Sequence, residues 1–293
     1  MEEHFFKDWQ IQKIYFEDKN FPEILKKIKN PPKVLYFMGK IFPKENCFAI
    51  VGTRNCSDYG KTIAFNFAKD LSLCGLTIVS GLARGIDTFA HLGAIEIKKR
   101  TIAILGTGLD EKSFYPKTNL KLAKKILELG GCLISEYPPG QMGTKYTFPQ
   151  RNRIISGISL GALIIEAKIK SGALITGNFA KKQGRKLFAI PGSIFSKNSQ
   201  GCHFLIKKGA ILAENPNDIL KELNIKISKR KKIEQNLSKE EKAILDILAS
   251  GPKTIEEILE KTKIDLQKVL TILSIFEIDG KVKNIGNDVF SLN

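Results

Sequence analysis

Residues 148–157, Phe-Pro-Gln-Arg-Asn-Arg-Ile-Ile-Ser-Gly, combine side chains that suit a nucleic acid. The guanidinium groups of Arg151 and Arg153 are planar forks of donors that match phosphate oxygens, and the ring of Phe148 offers a face to a nucleobase. Pro149 disfavours helical geometry at the residue before it, so we predict that Phe148 is extended and begins a turn. This pattern favours a binding site for single-stranded nucleic acid over a hydrolytic centre.

Gly52 and Arg54 follow an apolar run and suit the binding of an anion. The glycine lets backbone amides approach a phosphate at the start of the next helix, and Arg54 adds charge. Residues 55–62 have the spacing of a nucleotide-binding P-loop but lack its first glycine, so we do not predict ATP binding.

Ser80, Gly81 and Arg84 follow a second apolar run and predict a loop of exposed amides with a guanidinium, which would cradle an anion. We assign Asp87, just beyond this loop, as the N-cap of the next helix.

Ser171 and Gly172 precede another helical pattern and offer a hydroxyl and backbone amides to an anion. Glu166, just before them, is either a catalytic carboxylate or the partner of Arg153 or another arginine, and we favour the ion pair. Residues 157–161 match the Gly-x-Ser-x-Gly elbow of hydrolases. That elbow needs a strand before its serine and a helix after it, and the order predicted here is the reverse.

The net charge of +17 is concentrated in the middle of the chain. Residues 45–222 carry 25 basic and 13 acidic side chains, whereas residues 238–293 carry 8 and 10. A basic domain attracts polyanions by releasing their condensed counterions, so the central region is the expected DNA-binding part.

Five cysteines without a Cys-x-x-Cys pair and three isolated histidines predict neither a disulfide framework nor a metal site. The first residues lack the apolar core of a signal peptide, and no apolar run reaches the roughly 20 residues of a membrane span. We therefore expect a cytoplasmic protein that does not bind membranes.

Short apolar runs alternate with helical patterns along the central region, which predicts a doubly wound α/β sheet that binds ligands at the carboxyl ends of its strands. The predicted strands are Cys47–Val51, Leu76–Ser80, Thr101–Leu105, Cys132–Ser135, Gly161–Glu166, Leu187–Pro191 and Ala210–Leu212. The predicted helices lie near 60–73, 88–98, 118–129, 151–157, 172–183, 200–208 and 216–223.

Four regions are predicted from composition and pattern. Residues 1–44 form a short extension that packs on the core, and residues 45–223 form the α/β domain. Residues 224–237 are a basic linker. Residues 238–293 contain three helical patterns, the first capped by Ser238 and Glu241, and a hairpin, which together suggest a winged-helix domain.

Six motifs in this order resemble the DprA/Smf family of bacterial DNA-processing proteins of natural transformation. They are Gly52-Thr53-Arg54, the Ser80–Asp87 loop, Gly108-Leu109-Asp110 with Tyr115-Pro116 and Asn119, Ser135-Glu136-Tyr137-Pro138, Phe148-Pro149 with Arg151-Asn152-Arg153, and Ser171-Gly172-Ala173-Leu174 with Thr176.

The resemblance implies an extended Rossmann-like domain with a basic pocket for single-stranded DNA and no enzymatic role. It also implies a homodimer, protection of incoming strands, and loading of the RecA recombinase. Binding without sequence preference is expected from the residues themselves, because phosphates and aromatic faces carry no base code. The DNA-binding residues expected from the residue patterns and from the resemblance are Gly52, Arg54, Ser80, Gly81, Arg84, Lys145, Phe148, Arg151, Asn152, Arg153, Ser171, Gly172 and Thr176. No cofactor is expected.

The expected dimer interface contains Phe204, Ile206 and Ile211, where the sequence departs from the family pattern at Cys202 and His203. The N-terminal region is too short for the helical SAM-like domain of many members. The winged-helix unit could contact duplex DNA or a protein, and its acidic balance argues against strong non-specific affinity for DNA.

Two other functions remain open from the sequence. A nucleoside-phosphate N-glycosidase of the cytokinin-activating LOG type shares the fold class, but residues 171–176 lack the double glycine of its loop. A transcription factor acting through residues 238–293 is disfavoured by the net charge of that unit.

Overall fold

A computed structural model describes residues 6–225, 238–278, 281–286 and 288–292. The chain divides into two compact units, Met1–Ile227 and Ser228–Asn293. All but the first two residues of the predicted basic linker lie outside the described residues.

The first unit is built on a nine-stranded sheet in which the seven predicted strands are confirmed. These seven are mutually parallel, and two further strands precede them in the chain. The spatial order is β1-β2-β6-β5-β4-β3-β7-β8-β9. The bounds are β1 Gln12–Tyr15, β2 Val34–Gly39, β3 Cys47–Gly52, β4 Thr77–Ser80, β5 Thr101–Leu105, β6 Cys132–Ser135, β7 Gly161–Ile165, β8 Lys186–Ala189 and β9 Ile211–Leu212.

Helices cover both faces of the sheet, which makes the fold doubly wound. Successive residues of β4 show this, because Val79 packs into a core with Ile155 and Ile78 packs into another with Ala90. The helices are α1 Glu23–Lys26, α2 Asp58–Leu73, α3 Ile86–Glu96, α4 Leu120–Glu128, α5 Thr147–Gly157, α6 Gly172–Lys182, α7 Gln200–Lys207 and α8 Pro216–Glu222, with a 3-10 turn at Lys117–Asn119.

Strands β1 and β2, which the sequence patterns did not predict, extend the sheet at one edge. β2 pairs antiparallel with β6, and β1 pairs antiparallel with β2. Leu35 and Met38 of β2 are buried in different cores, so apolar residues occupy both of its faces and its sequence lacks the alternation of a half-exposed strand.

The prediction that Phe148 is extended is wrong, because helix α5 begins at Thr147 and includes it. Pro149 is the third residue of the helix, where a missing N–H costs nothing because no carbonyl is available to pair with it. The steric preference of the residue before a proline is overridden by this first-turn position.

The second unit has the three helices and hairpin expected of a winged helix. Ser238 and Glu241 form the predicted capping box at the start of its first helix. The elements are α9 Lys239–Leu248, β10 Lys253–Thr254, α10 Ile255–Thr262, α11 Leu266–Ile278, β11 Val282–Asn284 and β12 Val289–Leu292, with sheet order β10-β12-β11. None of the helices described in either unit is long and apolar enough to cross a bilayer.

Candidate nucleic-acid interface

A cleft of about 460 Å³ lies at the carboxyl ends of the parallel strands. Its walls come from the loops after β3 and β4 and from the first turns of α5 and α6. The cleft brings together nine of the thirteen predicted DNA-binding residues: Gly52, Arg54, Lys145, Phe148, Arg151, Asn152, Ser171, Gly172 and Thr176.

The N-terminus of α6 forms one wall of the cleft. Ser171 is the N-cap, and its hydroxyl is buried without a hydrogen-bond partner among the described residues. The Asn152 amide nitrogen donates to the Gly172 carbonyl at 3.2 Å and fixes the approach to the helix. A helix N-terminus with an unused hydroxyl is suited to a phosphate, because the first backbone amides lack partners within the helix.

Phe148 forms the opposite wall and lies beneath a guanidinium. The Arg54 guanidinium carbon is 5.7 Å from the centroid of the Phe148 ring, and the ring of Tyr115 lies 5.5 Å away in a tilted contact. Gly106 and Gly143 make room for the Phe148 ring, since a β-carbon on either would lie less than 3 Å from it. The result is a half-buried aromatic surface edged by a cation.

Three cations at the cleft are free to meet an anion. Arg54, Arg84 and Lys145 are exposed, and no carboxylate pairs with them within the described part of the chain. Arg84 borders an adjacent smaller pocket with Gly81 and Tyr115. These three cations therefore make the local field positive at this end of the sheet.

Arg151 lines the cleft but is held by the protein. It is 5% exposed, and its guanidinium donates to the carbonyls of Gly81, at 2.7 Å, and Ile104. Burial lowers the pKa of Arg151 to about 10, with the neighbouring Asp87 carboxylate opposing that shift, so the side chain stays cationic at neutral pH.

Arg153 lies outside the lining of the cleft and of the adjacent pocket. Its guanidinium donates to Glu136 at 2.5 Å, and both side chains are largely buried. Glu136 follows β6, so this ion pair ties α5 to the end of that strand.

The Ser80–Arg84 loop is not the set of exposed amides that we predicted. Ser80 is fully buried and donates to the Ile50 carbonyl at 2.6 Å. The Asp87 carboxylate accepts from the amides of Gly81, at 3.0 Å, and Ala83, so the protein supplies its own anion to this loop. Burial raises the pKa of Asp87, and the Arg151 charge opposes that shift.

The assignment of Asp87 as N-cap is also wrong. The N-cap of α3 is Gly85, and Asp87 lies inside the helix with its carboxylate turned back to the loop.

Glu166 is not paired with an arginine as we expected. Its carboxylate accepts from the backbone amide of Ser57 at 2.8 Å and from the Ser57 hydroxyl. Ser57 is the N-cap of α2, so Glu166 occupies the helix N-terminus at which we predicted phosphate to bind after Gly52. Of these two helix N-termini, that of α6 is the one that lines the cleft.

The sequence patterns missed two exposed tyrosines near the site. Tyr115 precedes the cis proline Pro116 and is 45% exposed beside Phe148. Tyr146 is 68% exposed, with the Lys145 ammonium 5.1 Å from its ring centroid. Tyr115 stands in one of the six family motifs, and that motif was its available signal. Tyr146 had only its position next to Lys145.

The three residues of the predicted dimer interface lie on α7 and β9. Phe204 is 43% exposed, whereas Ile206 and Ile211 are half-buried against the cores. β9 is the last strand in the spatial order of the sheet, and its Leu212 is also exposed.

The fold and the cleft define a Rossmann-like α/β protein with a basic, aromatic-edged site, linked to a winged-helix unit. A family model described as DNA recombination-mediator protein A matches residues 12–224, and one described as the DprA winged helix domain matches residues 228–286. The chain belongs to the DprA family of DNA recombination-mediator proteins.

Curated relatives agree with this assignment. Protein Smf of Escherichia coli is 43% identical over 204 residues, which cover 69% of this chain and 54% of that protein. DNA processing protein DprA of Streptococcus pneumoniae is 44% identical over 209 residues, which cover 70% of this chain and 72% of that protein. The chain therefore spans about half the length of the E. coli relative.

Two solved structures have the same fold. DprA from S. pneumoniae aligns with a TM-score of 0.67 at 40% identity, covering 74% of this chain and 75% of that one. DNA processing protein A from Helicobacter pylori, whose structure concerns its single-stranded DNA binding mode, aligns with a TM-score of 0.66 at 30% identity, covering 74% of this chain and 96% of that one.

Proposed function

We propose that the cleft binds single-stranded DNA without sequence preference. The observation that carries the proposal is the pairing of an aromatic face at Phe148, edged by the Arg54 guanidinium, with the unused hydroxyl of Ser171 at a helix N-terminus. One element suits a base and the other a phosphate. The H. pylori relative that binds single-stranded DNA supports the same ligand here.

The proposed roles follow from position and exposure. Ser171 and Gly172 hold a phosphate at the N-terminus of α6, and the exposed Arg54, Arg84 and Lys145 neutralise the backbone. Thr176, which is 1% exposed, lines the cleft without reaching the strand. Phe148 stacks on a base. Gly52, Gly81, Arg151 and Asn152 shape the walls of the site. Ser80 and Arg153 lie behind these walls, where they hold the β4 end and α5 in place. Because phosphates and ring faces carry no base code, every sequence is accepted.

The wider role that we propose is non-enzymatic and cytoplasmic. The protein protects incoming strands during natural transformation and helps to load the RecA recombinase on them. Membership of a recombination-mediator family supports a recombinase as partner. The winged-helix unit is then an auxiliary contact to duplex DNA or protein.

We also propose a homodimer formed through α7 and β9. The exposed ring of Phe204 and the edge strand β9 support it. A second copy packed here would remove the apolar ring from water and could pair with the edge strand.

Fluorescence anisotropy tests the DNA proposal. Labelled oligo-dT and a matched duplex are titrated over a salt series with wild type, Arg54→Ala and the charge-matched control Lys99→Ala. Lys99 is exposed just before β5, at the amino ends of the parallel strands, whereas the cleft lies at their carboxyl ends. We expect preference for the single strand, steep loss of affinity with salt, and a marked loss only in Arg54→Ala.

Equal and weak binding of both DNA forms, unchanged by Arg54→Ala, would contradict the proposal. Release of free base from a nucleoside monophosphate would instead support the N-glycosidase alternative.

A further inference from the structure

The loop between β8 and α7 carries an apolar tip beside the cleft. Phe195 is 91% exposed and Ile194 is 76% exposed, which are the highest values among the large apolar side chains that the structure describes. Neither contributes to a core, so the fold itself gives no reason for an aromatic ring at this position.

The loop is held firmly on both sides of its tip. The Tyr59 hydroxyl donates to the Pro191 carbonyl at 2.9 Å, and His203 Nε2 donates to the Gly192 carbonyl at 3.1 Å. Beyond the tip, the Asn198 carbonyl accepts from the Ala167 amide at 2.6 Å. Because the backbone is fixed on both sides of the tip, less conformational entropy is lost when a ligand binds there.

The same anchors place the loop next to the DNA site. The Asn198 side chain donates to the Asn55 carbonyl at 3.1 Å, and Asn55 directly follows Arg54. Ala167 lies in the short connection between β7 and Ser171, the N-cap that lines the cleft. The Phe195 loop is thus attached to two of the loops that line the site.

The charge of this region complements a nucleic acid. Residues 167–213 contain nine basic side chains and no acidic one. Lys168, Lys170 and Lys197 are exposed on the two neighbouring loops, and Ile169 between the first two is 54% exposed. A protein partner would more often meet a mixed surface, whereas cations interleaved with an aromatic ring suit a single strand.

We propose that the single strand continues from the cleft past Ser171 and over the β7–α6 and β8–α7 loops, where a base stacks on Phe195. This inference rests on the proposed function of the cleft. It assigns Phe195 as a second aromatic contact, with Lys168, Lys170 and Lys197 neutralising the phosphates along the path.

Anisotropy with labelled oligo-dT of increasing length, from about 5 to about 25 nucleotides, tests the path. The proteins are wild type, Arg54→Ala, Phe195→Ala, Phe195→Trp and the control Tyr15→Ala. Tyr15 is 52% exposed on β1, at the other edge of the sheet. Light scattering of each protein reports its oligomeric state.

We expect Phe195→Ala to bind the longer strands about fivefold or more weakly and the shortest ones normally, because only longer strands reach the loop. Phe195→Trp, which keeps an aromatic face, and Tyr15→Ala should match wild type. Normal binding of Phe195→Ala at every length, with loss in Arg54→Ala, would overturn the path and leave the cleft intact. An altered oligomeric state with unchanged DNA affinity would identify a protein contact and also overturn it. Absence of binding by wild type would overturn both proposals.

Discussion

The Arg54 guanidinium lies over the ring of Phe148, with its central carbon 5.7 Å from the ring centroid, although the two residues are far apart in the chain. Arg54 comes from the loop after β3, and Phe148 comes from the first turn of α5. The ring contact holds the guanidinium at the site, so under the proposed function this one pair would serve both phosphate and base binding.

Arg54→Lys distinguishes the contribution of the positive charge at residue 54 from that of the planar guanidinium. We expect it to bind oligo-dT more weakly than wild type and more tightly than Arg54→Ala, because an ammonium keeps the charge but not the planar fork. Anisotropy at one fixed salt concentration measures this order. Equal affinity of Arg54→Lys and wild type would show that the stacking of the guanidinium is unimportant.

The slope of affinity against salt counts phosphate contacts. Lys145→Ala should reduce the slope of log affinity against log salt concentration by about 0.7, the value for one lost contact with a single strand. Lys99→Ala, which removes the same charge at the amino ends of the parallel strands, should leave the slope unchanged. Equal slopes for the two variants would show that Lys145 makes no phosphate contact.

Gly143→Ala tests whether the seat of the Phe148 ring matters. The added methyl group would lie 2.5 Å from Phe148 Cζ, so the ring must move. We expect weaker binding of single-stranded DNA, measured by anisotropy. Overpacking against Phe148 and the buried Thr107 should also lower the free energy of unfolding by about 1–3 kcal/mol, measured by urea unfolding. Gly177→Ala on α6 is the matched control, since its β-carbon makes only ordinary contacts of 3.4 Å or more. Unchanged DNA affinity in Gly143→Ala would contradict this role.

The position of the site could be predicted because the carboxyl ends of parallel strands lie on the same side of the sheet. The apolar runs gave β3–β9, and the polar residues after β3 and β7 therefore had to approach each other. Gly52, Arg54, Ser171 and Gly172 do line one cleft.

The partners within the site could not be predicted from spacing. Glu166 caps a helix through Ser57, 109 positions earlier, and Asp87 fills the loop at Gly81. In both places a carboxylate of the protein occupies amides that, in the sequence alone, were equally suited to a phosphate. Only the tertiary fold decides which helix N-terminus stays open.

Phe204→Glu should convert the proposed dimer into a monomer, because a carboxylate would be buried without a partner. Size-exclusion chromatography with light scattering measures the mass. Leu73→Glu is the control, since Leu73 on α2 is 41% exposed, close to the 43% of Phe204. A monomeric wild type, or a Phe204→Glu variant that remains dimeric, would place the interface elsewhere or exclude it.

Arg151→Ala should lower the free energy of unfolding by about 1–3 kcal/mol, because it leaves the buried carbonyls of Gly81 and Ile104 without the guanidinium that donates to them. Arg84→Ala, at an exposed position, should change that free energy by no more than about 0.5 kcal/mol while weakening DNA binding. Urea unfolding and anisotropy on both variants distinguish a residue that stabilises the fold from one that contacts DNA. A stable Arg151→Ala protein with reduced DNA affinity would make Arg151 a direct contact instead.

His91 should make the first unit less stable in acid. It is fully buried on α3, with Nδ1 2.8 Å from the Thr101 hydroxyl. That hydroxyl donates to the Ile78 carbonyl at 2.7 Å, so Nδ1 must carry the proton and donate to it. Burial lowers the pKa of His91 to about 3, from an ordinary value of 6.5 in the unfolded chain, and the Arg151 charge adds to the shift.

Between pH 6.5 and about 3 the unfolded chain therefore binds one proton more than the folded one at this residue. The contribution of His91 to stability is fully present above pH 6.5 and falls by about 1.4 kcal/mol for each pH unit below it. His91→Leu removes this titration, so its unfolding free energy should decline less steeply with acid. Urea unfolding at several pH values, followed by fluorescence of Trp9, the single tryptophan, measures both slopes in the first unit. Other groups titrate equally in the two proteins, so identical slopes would mean that His91 is protonated in the folded state.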